Sequence, residues 1–105
     1  MSVIIKARIE FADAPAEDIK HVCDLIEDYT LGKGCIHFER IVKNANEHKK
    51  WLEEIMHASA PIVKHGYIDI YDDTIIRYEN EGDGKWTEYD GFIEYKKTGR
   101  IFEGD

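Results

Sequence analysis

Basic residues, cysteine, proline and long apolar runs are all scarce in this chain, and each shortage excludes a class of protein. The 105 residues contain 14 lysines and arginines against 22 aspartates and glutamates, which gives a net charge of −8. Phosphate backbones and anionic membranes bind clustered cations, so we expect no direct contact with nucleic acid or with a membrane surface. No apolar run approaches the length of a transmembrane helix.

The two cysteines, Cys23 and Cys35, are too few and too irregularly spaced for a disulfide framework or a zinc knuckle. Residues 1–6 are too short an apolar stretch for the core of a signal peptide. We therefore expect reduced thiols, a cytoplasmic location, and neither a metal nor a cofactor. The length predicts a single domain over residues 1–105.

Apolar periodicity predicts the first four elements of the fold. Apolar residues alternate with polar ones over residues 3–11 and 35–42, which predicts two half-buried strands. Helical spacing of the apolar residues predicts a helix over residues 15–32, ended by glycine. A second helix is predicted over residues 44–61, where a capping-box pattern precedes the apolar stripe and a proline follows it.

The rest of the chain predicts a meander of short strands joined by acidic or glycine-rich turns. These strands are expected near residues 62–71, 74–80, 85–90, 92–96 and 100–103. The order β-α-β-α followed by a β-meander predicts an α+β fold, with two helices packed on one face of a mostly antiparallel sheet. The other face of that sheet is left to solvent or to a partner.

Acidic and aromatic residues alternate in the C-terminal part of the chain. Residues 66–105 hold 11 of the 22 acidic residues but only 5 of the 14 basic ones, and so carry −6 of the net charge of −8. Tyr67, Asp69 and Tyr71 share one strand face, so they point outward if the intervening isoleucines are buried. Such a surface suits a cationic partner, because carboxylates can take the place of phosphates and aromatic rings supply anchors.

The first functional hypothesis is therefore a small, acidic, non-enzymatic binding module for a basic protein partner. An inhibitor of a nucleic-acid-handling protein is the role that this composition favours, as in phage or mobile-element anti-defence proteins, antitoxins and immunity proteins. The residues expected to bind the partner are Tyr71, Asp72, Asp73, Glu79, Asp83, Trp86, Glu88 and Asp90.

Two alternatives belong to other classes of protein. No motif in the chain specifies a reaction, but Cys35 and His37 share a strand face and could form the nucleophile and base of a small enzyme. A histidine paired with a nearby carboxylate is the other arrangement that such an enzyme could use. The other alternative is a homo-oligomeric regulatory domain, such as a homodimer, that pairs through an edge strand at residues 3–11 or 100–102.

Residues 79–90 place oxygen donors and a glycine at several positions of a twelve-residue calcium loop. The flanking segments are predicted strands rather than the helices that such a loop requires. An acidic hairpin is therefore the preferred interpretation of this segment.

Overall fold

Two α-helices and six antiparallel strands make up the part of the chain that the computed structural model describes, residues 2–89. In chain order these elements are β1 (Val3–Phe11), α1 (Ala16–Ile26), β2 (Thr30–Leu31), β3 (Cys35–Val42), α2 (Lys49–Ser59), β4 (Val63–Tyr71), β5 (Ile75–Asn80) and β6 (Thr87–Tyr89). The strands lie side by side in the order β2-β3-β1-β4-β5-β6. The predicted α+β class, with both helices on one face of an antiparallel sheet, is confirmed.

Strand β1 is the centre of the sheet because it pairs with β3 on one side and β4 on the other along most of its length. Its alternation places Ile5 and Ile9, each 0% exposed, under the helices. The expectation that residues 3–11 form an edge strand is therefore wrong, because a strand paired on both sides has no free backbone groups to offer. The other candidate, residues 100–102, lies outside the described residues, as do the predicted strands 92–96 and 100–103.

Helix α1 begins after Pro15 and carries Glu17 and Asp18 in its first turn, where carboxylates stabilise the positive end of the helix dipole. It ends at Ile26, earlier than predicted, and the chain then forms the short strand β2 at Thr30–Leu31. The helix is broken at Glu27, whose φ of 73° is not helical, and the weaker helix formers Asp28, Tyr29 and Thr30 follow it. The Arg40 guanidinium donates to the Ile26 carbonyl at 2.9 Å, which satisfies one of the last carbonyls of the helix.

Helix α2 is preceded by one 3-10 turn, Ala45–His48. The predicted capping residue acts there, since the Asn44 side chain accepts a hydrogen bond from the Glu47 backbone N–H at 3.0 Å. On α2 the Trp51 indole donates to the Leu25 carbonyl at 2.7 Å and so ties the second helix to the first. The short 3-10 segment Ala60–Ile62 then leads into β4, and it contains Pro61, the proline predicted to follow the helix.

Two helices cover the six strands unevenly. The buried core lies beneath both helices, but Ile76, Tyr78 and Trp86 are only partly buried at the β5–β6 side. The other side of the sheet, which we call the open face, carries no described helix. Its central side chains, aligned across neighbouring strands, are Lys6, Arg8, His37, Glu39, Tyr67, Asp69, Tyr71, Arg77 and Glu79.

Candidate functional site

The acidic turns predicted to bind a partner lie at opposite ends of β5. Asp72 and Asp73 are exposed in the turn between β4 and β5, whereas Asp83 is exposed in the turn between β5 and β6. Because a strand rises about 3.3 Å per residue, the six-residue strand separates the two turns by about 20 Å. The two turns therefore do not form one patch.

Two further predicted residues, Tyr71 and Glu79, belong to a network on the open face. Both carboxylate oxygens of Asp69 accept from Arg77, at 2.7 and 2.8 Å, and Glu79 accepts from the same guanidinium at 3.1 Å. The guanidinium lies over the Tyr67 ring, 4.4 Å from its centroid. Burial, followed by the nearby Asp69 carboxylate, raises the pKa of Tyr71.

This network involves the row of Tyr67, Asp69 and Tyr71 that was predicted to point outward. Tyr67 and Tyr71 are on the open face as predicted, but the Asp69 between them is only 3% exposed. A bidentate guanidinium compensates the charge of Asp69 within the chain. The row therefore holds β4 to β5, and its central carboxylate is not presented to a partner.

The predicted residues Asp72 and Glu88 line one depression beside α2, and Trp86 lines a second depression that adjoins it. Asp90 lies outside the described residues. We call this feature, formed by two adjoining depressions of about 490 and 330 Å³, the α2–β5 groove. Both depressions share three lining residues, Glu53, Met56 and Tyr78. The other residues that line the groove are Asn46, Lys49, Leu52, His57, Ala60, Ile70, Asp72, Thr74, Ile76, Gly84, Lys85, Trp86 and Glu88.

Trp86 forms one end wall of the groove and is held in place by the core. Its indole N–H donates to the Ser59 hydroxyl at 3.1 Å, and that hydroxyl donates to the Ile55 carbonyl at 2.7 Å. The ring lies against Gly66, where an added Cβ would come within 3.2 Å of Trp86 Cη2 and 3.0 Å of the Arg8 carbonyl oxygen. The position of the ring therefore depends on the absence of a side chain at residue 66.

Tyr78 lies where the two depressions meet, with acidic side chains around it. Burial is the main cause that raises the pKa of Tyr78 to about 12, followed by its hydrogen bond to Glu88 and the charges of Glu88 and Glu53. Neither glutamate forms an ion pair with any cation of the described residues. Lys49 and Lys85 line the groove without reaching them. The centre of the groove is thus an apolar floor with local negative potential.

Sequence reasoning missed Glu53, Met56 and Tyr78 as members of this site. Met56 lies on the apolar stripe of α2, a position typical of core residues, but it is half-buried and lines the groove. Pairing between β5 and β6 places Tyr78 beside Glu88, and no sequence pattern specified that register.

The structure brings the predicted pair Cys35 and His37 into contact. Cys35 Sγ lies 3.7 Å from His37 Nε2, within hydrogen-bonding range for sulfur. Cys35 as a whole residue is only 7% exposed. A small apolar depression of about 190 Å³ borders the cysteine and is lined in part by Phe11, Ile19 and Leu31.

No group of three or more histidine, cysteine or carboxylate side chains in residues 2–89 is arranged to hold a metal ion. The proposed calcium loop begins at Glu79, whose carboxylate already accepts from Arg77 at 3.1 Å, and its last position, Asp90, is not among the described residues. One carboxylate oxygen of the first donor residue in the loop pattern is therefore already hydrogen-bonded to Arg77.

Together the fold and the groove define a small α+β domain with an acidic, apolar-floored cleft between one helix and a sheet edge. No protein-family model, curated protein or solved structure matches this chain. None of the helices in the described part of the chain is long and apolar enough to cross a membrane.

Proposed function

We propose that the domain is a non-enzymatic binding module whose α2–β5 groove takes a basic, partly apolar segment of a partner protein. The observation that carries this proposal is the position of Glu53 and Glu88 around Tyr78, above an apolar floor. A lysine or arginine of the partner would supply the cation that these carboxylates lack among the described residues. On the open face, by contrast, both carboxylate oxygens of Asp69 already accept hydrogen bonds from Arg77.

The apolar floor supports an occupant that carries apolar side chains as well as positive charge. Met56, Ile76 and Trp86 are partly buried and border the groove, so an entering side chain would remove their remaining surface from water. Tryptophan is enriched among the residues that dominate binding energy at interfaces. Trp86 is therefore the proposed anchor, and the carboxylates of Glu53, Asp72 and Glu88 are the proposed determinants of charge.

The net charge of −8 supports fast, salt-sensitive association with a basic protein. Proteins that handle nucleic acids present such basic surfaces, and the role we propose is inhibition of a protein of this kind. Cys23 and Cys35 are both free thiols. Reduced thiols are typical of the cytoplasm, where we place the protein.

Two synthetic peptides of equal length test the proposal, one alternating lysine with leucine and the other with glutamate in place of each lysine. The chain has two tryptophans, and their indole N–H resonances report on separate places. Trp86 lines the groove, whereas Trp51 is bonded to Leu25 between the helices. We expect the lysine peptide to shift the Trp86 resonance, to leave Trp51 unmoved, and to bind more weakly as salt is added.

Matched variants on α2 and β6 locate the contact. Glu53→Gln and Glu88→Gln should each weaken binding of the lysine peptide by about two- to fivefold, the range for exposed ion pairs. Glu54→Gln is the control, because Glu54 is an exposed neighbour on the same helix that does not line the groove. Equal binding of the glutamate peptide, or equal effects of all three variants, would contradict the proposal.

The contact between Cys35 and His37 supports a second candidate, a thiol-dependent enzyme. A thiol 3.7 Å from an imidazole has the arrangement of a nucleophile and its base. In acyl transfer, His37 would take the thiol proton as sulfur attacks the carbonyl, and would return it to the leaving group. Nothing else in the described residues completes such a site.

Alkylation by iodoacetamide distinguishes this candidate, with Cys23 as the internal comparison. Burial raises the pKa of Cys23, a thiol that lies on the buried side of α1. An activated Cys35 would react faster at neutral pH than Cys23, and His37→Gln would abolish the difference. If Cys35 reacts no faster than Cys23, the enzyme candidate is removed.

A further inference from the structure

Among the described residues, strand β3 has an outer edge that is only partly paired, and it lies on the other side of the central strand from β5. β3 runs over eight residues, Cys35–Val42, but β2 pairs with it only at Ile36 and His37. Beyond His37 no strand in the described part of the chain pairs with this side. A free edge of this kind is a template for pairing with another chain.

Backbone hydrogen bonds show which residues of β3 point to that edge. The Gly32 N–H donates to the Cys35 carbonyl at 2.8 Å across the β2–β3 hairpin, so the backbone groups of Cys35 point toward β2. Successive residues of an antiparallel strand direct these groups alternately to the two neighbours. The N–H and C=O groups of Glu39 and Ile41 therefore point outward, past the end of β2.

The side chains at this edge of β3 are arranged so that the edge is complementary to the same edge of a second copy of the chain. Ile41 is 64% exposed, which is unusual for an isoleucine in a strand. Glu39 lies two residues before it and Lys43 two residues after it, and both are exposed. Opposite charges at equal distances from one apolar residue are self-complementary under twofold rotation.

We propose that two copies of this chain pair antiparallel through their β3 edges, about a twofold axis at Ile41. This register places Ile41 opposite Ile41 of the second copy. It also places each Glu39 directly opposite a Lys43, and directly opposed opposite charges stabilise an antiparallel pair. The inference is independent of the proposed groove, because β3 and β5 lie on different sides of the central strand.

The neighbouring segments leave room for this pairing. In this register residue 44 of one copy lies opposite residue 38 of the other, next to the position where β2 begins to cover the edge. The chain turns away from the sheet there, because the 3-10 turn Ala45–His48 follows Val42 and two linking residues. The paired stretch is short, so we expect a weak dimer that forms at high protein concentration.

Sedimentation equilibrium of the full chain over a series of concentrations tests the dimer, and charge reversal tests its register. Glu39→Lys and Lys43→Glu should each weaken association by about fivefold or more, because each creates two pairs of like charges. The double variant exchanges the charges and should restore the affinity of the parent. Glu54→Lys makes the same charge change on the exposed surface of α2 and should leave association unchanged.

A chain that stays monomeric at all concentrations overturns the proposal, as does a dimer whose affinity the double variant fails to restore. Amide hydrogen exchange rates give a second test of the dimer, in the unmodified chain. The amides of Glu39 and Ile41 should exchange more slowly at high than at low protein concentration, whereas that of Arg40, which points to β1, should not change. Equal changes at all three amides would also overturn it.

Discussion

The open face and the α2–β5 groove both carry carboxylates beside tyrosines, but the carboxylates have different hydrogen-bond partners on the two surfaces. On the open face, Asp69 and Glu79 accept hydrogen bonds from Arg77 on the same pair of strands. In the groove, Glu88 is hydrogen-bonded to the hydroxyl of Tyr78 and has no cation partner within residues 2–89, and the pKa of that tyrosine rises. The same residue types thus stabilise the fold in one place, and in the other leave a carboxylate that forms no ion pair with the described residues.

The difference shows that an outward acidic and aromatic pattern does not by itself mark a binding surface. A carboxylate that already has a cation within the chain gains little from a cationic partner, since the partner would have to displace an existing hydrogen-bonded pair. A carboxylate beside a hydroxyl and an apolar floor gains more. The groove is therefore the better candidate site, although the open face has the clearer sequence pattern.

The largest expected effect concerns the open face. Arg77→Met removes both hydrogen bonds to Asp69, whose side chain is only 4% exposed, and leaves that charge without its bidentate partner. We expect the free energy of unfolding to fall by about 3 kcal/mol, measured by denaturant titration. Glu88→Gln in the groove should change it by less than about 0.5 kcal/mol. Similar losses in the two variants would remove the distinction between the two surfaces.

A smaller effect is expected from pH at the groove. The pKa of Tyr78 is about 12 in the folded chain against an ordinary value of 10.0, so the folded state retains a proton that the unfolded state loses between these values. Stability is therefore complete below pH 10 and falls as the pH rises toward 12, by about 1–2 kcal/mol at a half-buried site.

Tyr78→Phe should remove that part of the alkaline loss of stability, and Glu88→Gln should lower the pKa of Tyr78. Alkaline unfolding curves and tyrosinate absorbance measure the two effects. Tyr71, whose pKa is also raised, provides the comparison on the open face, and Glu88→Gln should leave it unchanged. A Glu88→Gln chain with the same tyrosinate titration as the parent would contradict the electrostatic description of the groove.

The smallest effect is expected at the exposed end of the open face. Glu10 lies 3.8 Å from Arg8 and 3.7 Å from Lys64, whose side chain is 68% exposed. Glu10→Gln should cost less than about 0.5 kcal/mol in the free energy of unfolding, and added salt should remove the difference. A cost comparable to that of Arg77→Met would show that burial does not decide which pairs stabilise this face.

Much of the fold could be predicted from periodicity, because the apolar alternation of β1 and β3 and the apolar stripe of α2 are local properties of the chain. The Asn44 cap was also local, and it was confirmed together with a 3-10 first turn. The short strand β2 was missed, since two residues are too few to show a period. The central place of β1 was missed as well, because pairing partners are distant in sequence.

By itself the sequence determined the class of the fold, the faces of the main strands and the acidic character of the chain. Local spacing and composition decide these properties directly. Only the tertiary structure decided which carboxylates find a cation. Strand register sets Asp69 beside Arg77 and Glu88 beside Tyr78, and the uneven cover of two helices over six strands opens the groove. These outcomes depend on contacts between distant segments, which no local pattern encodes.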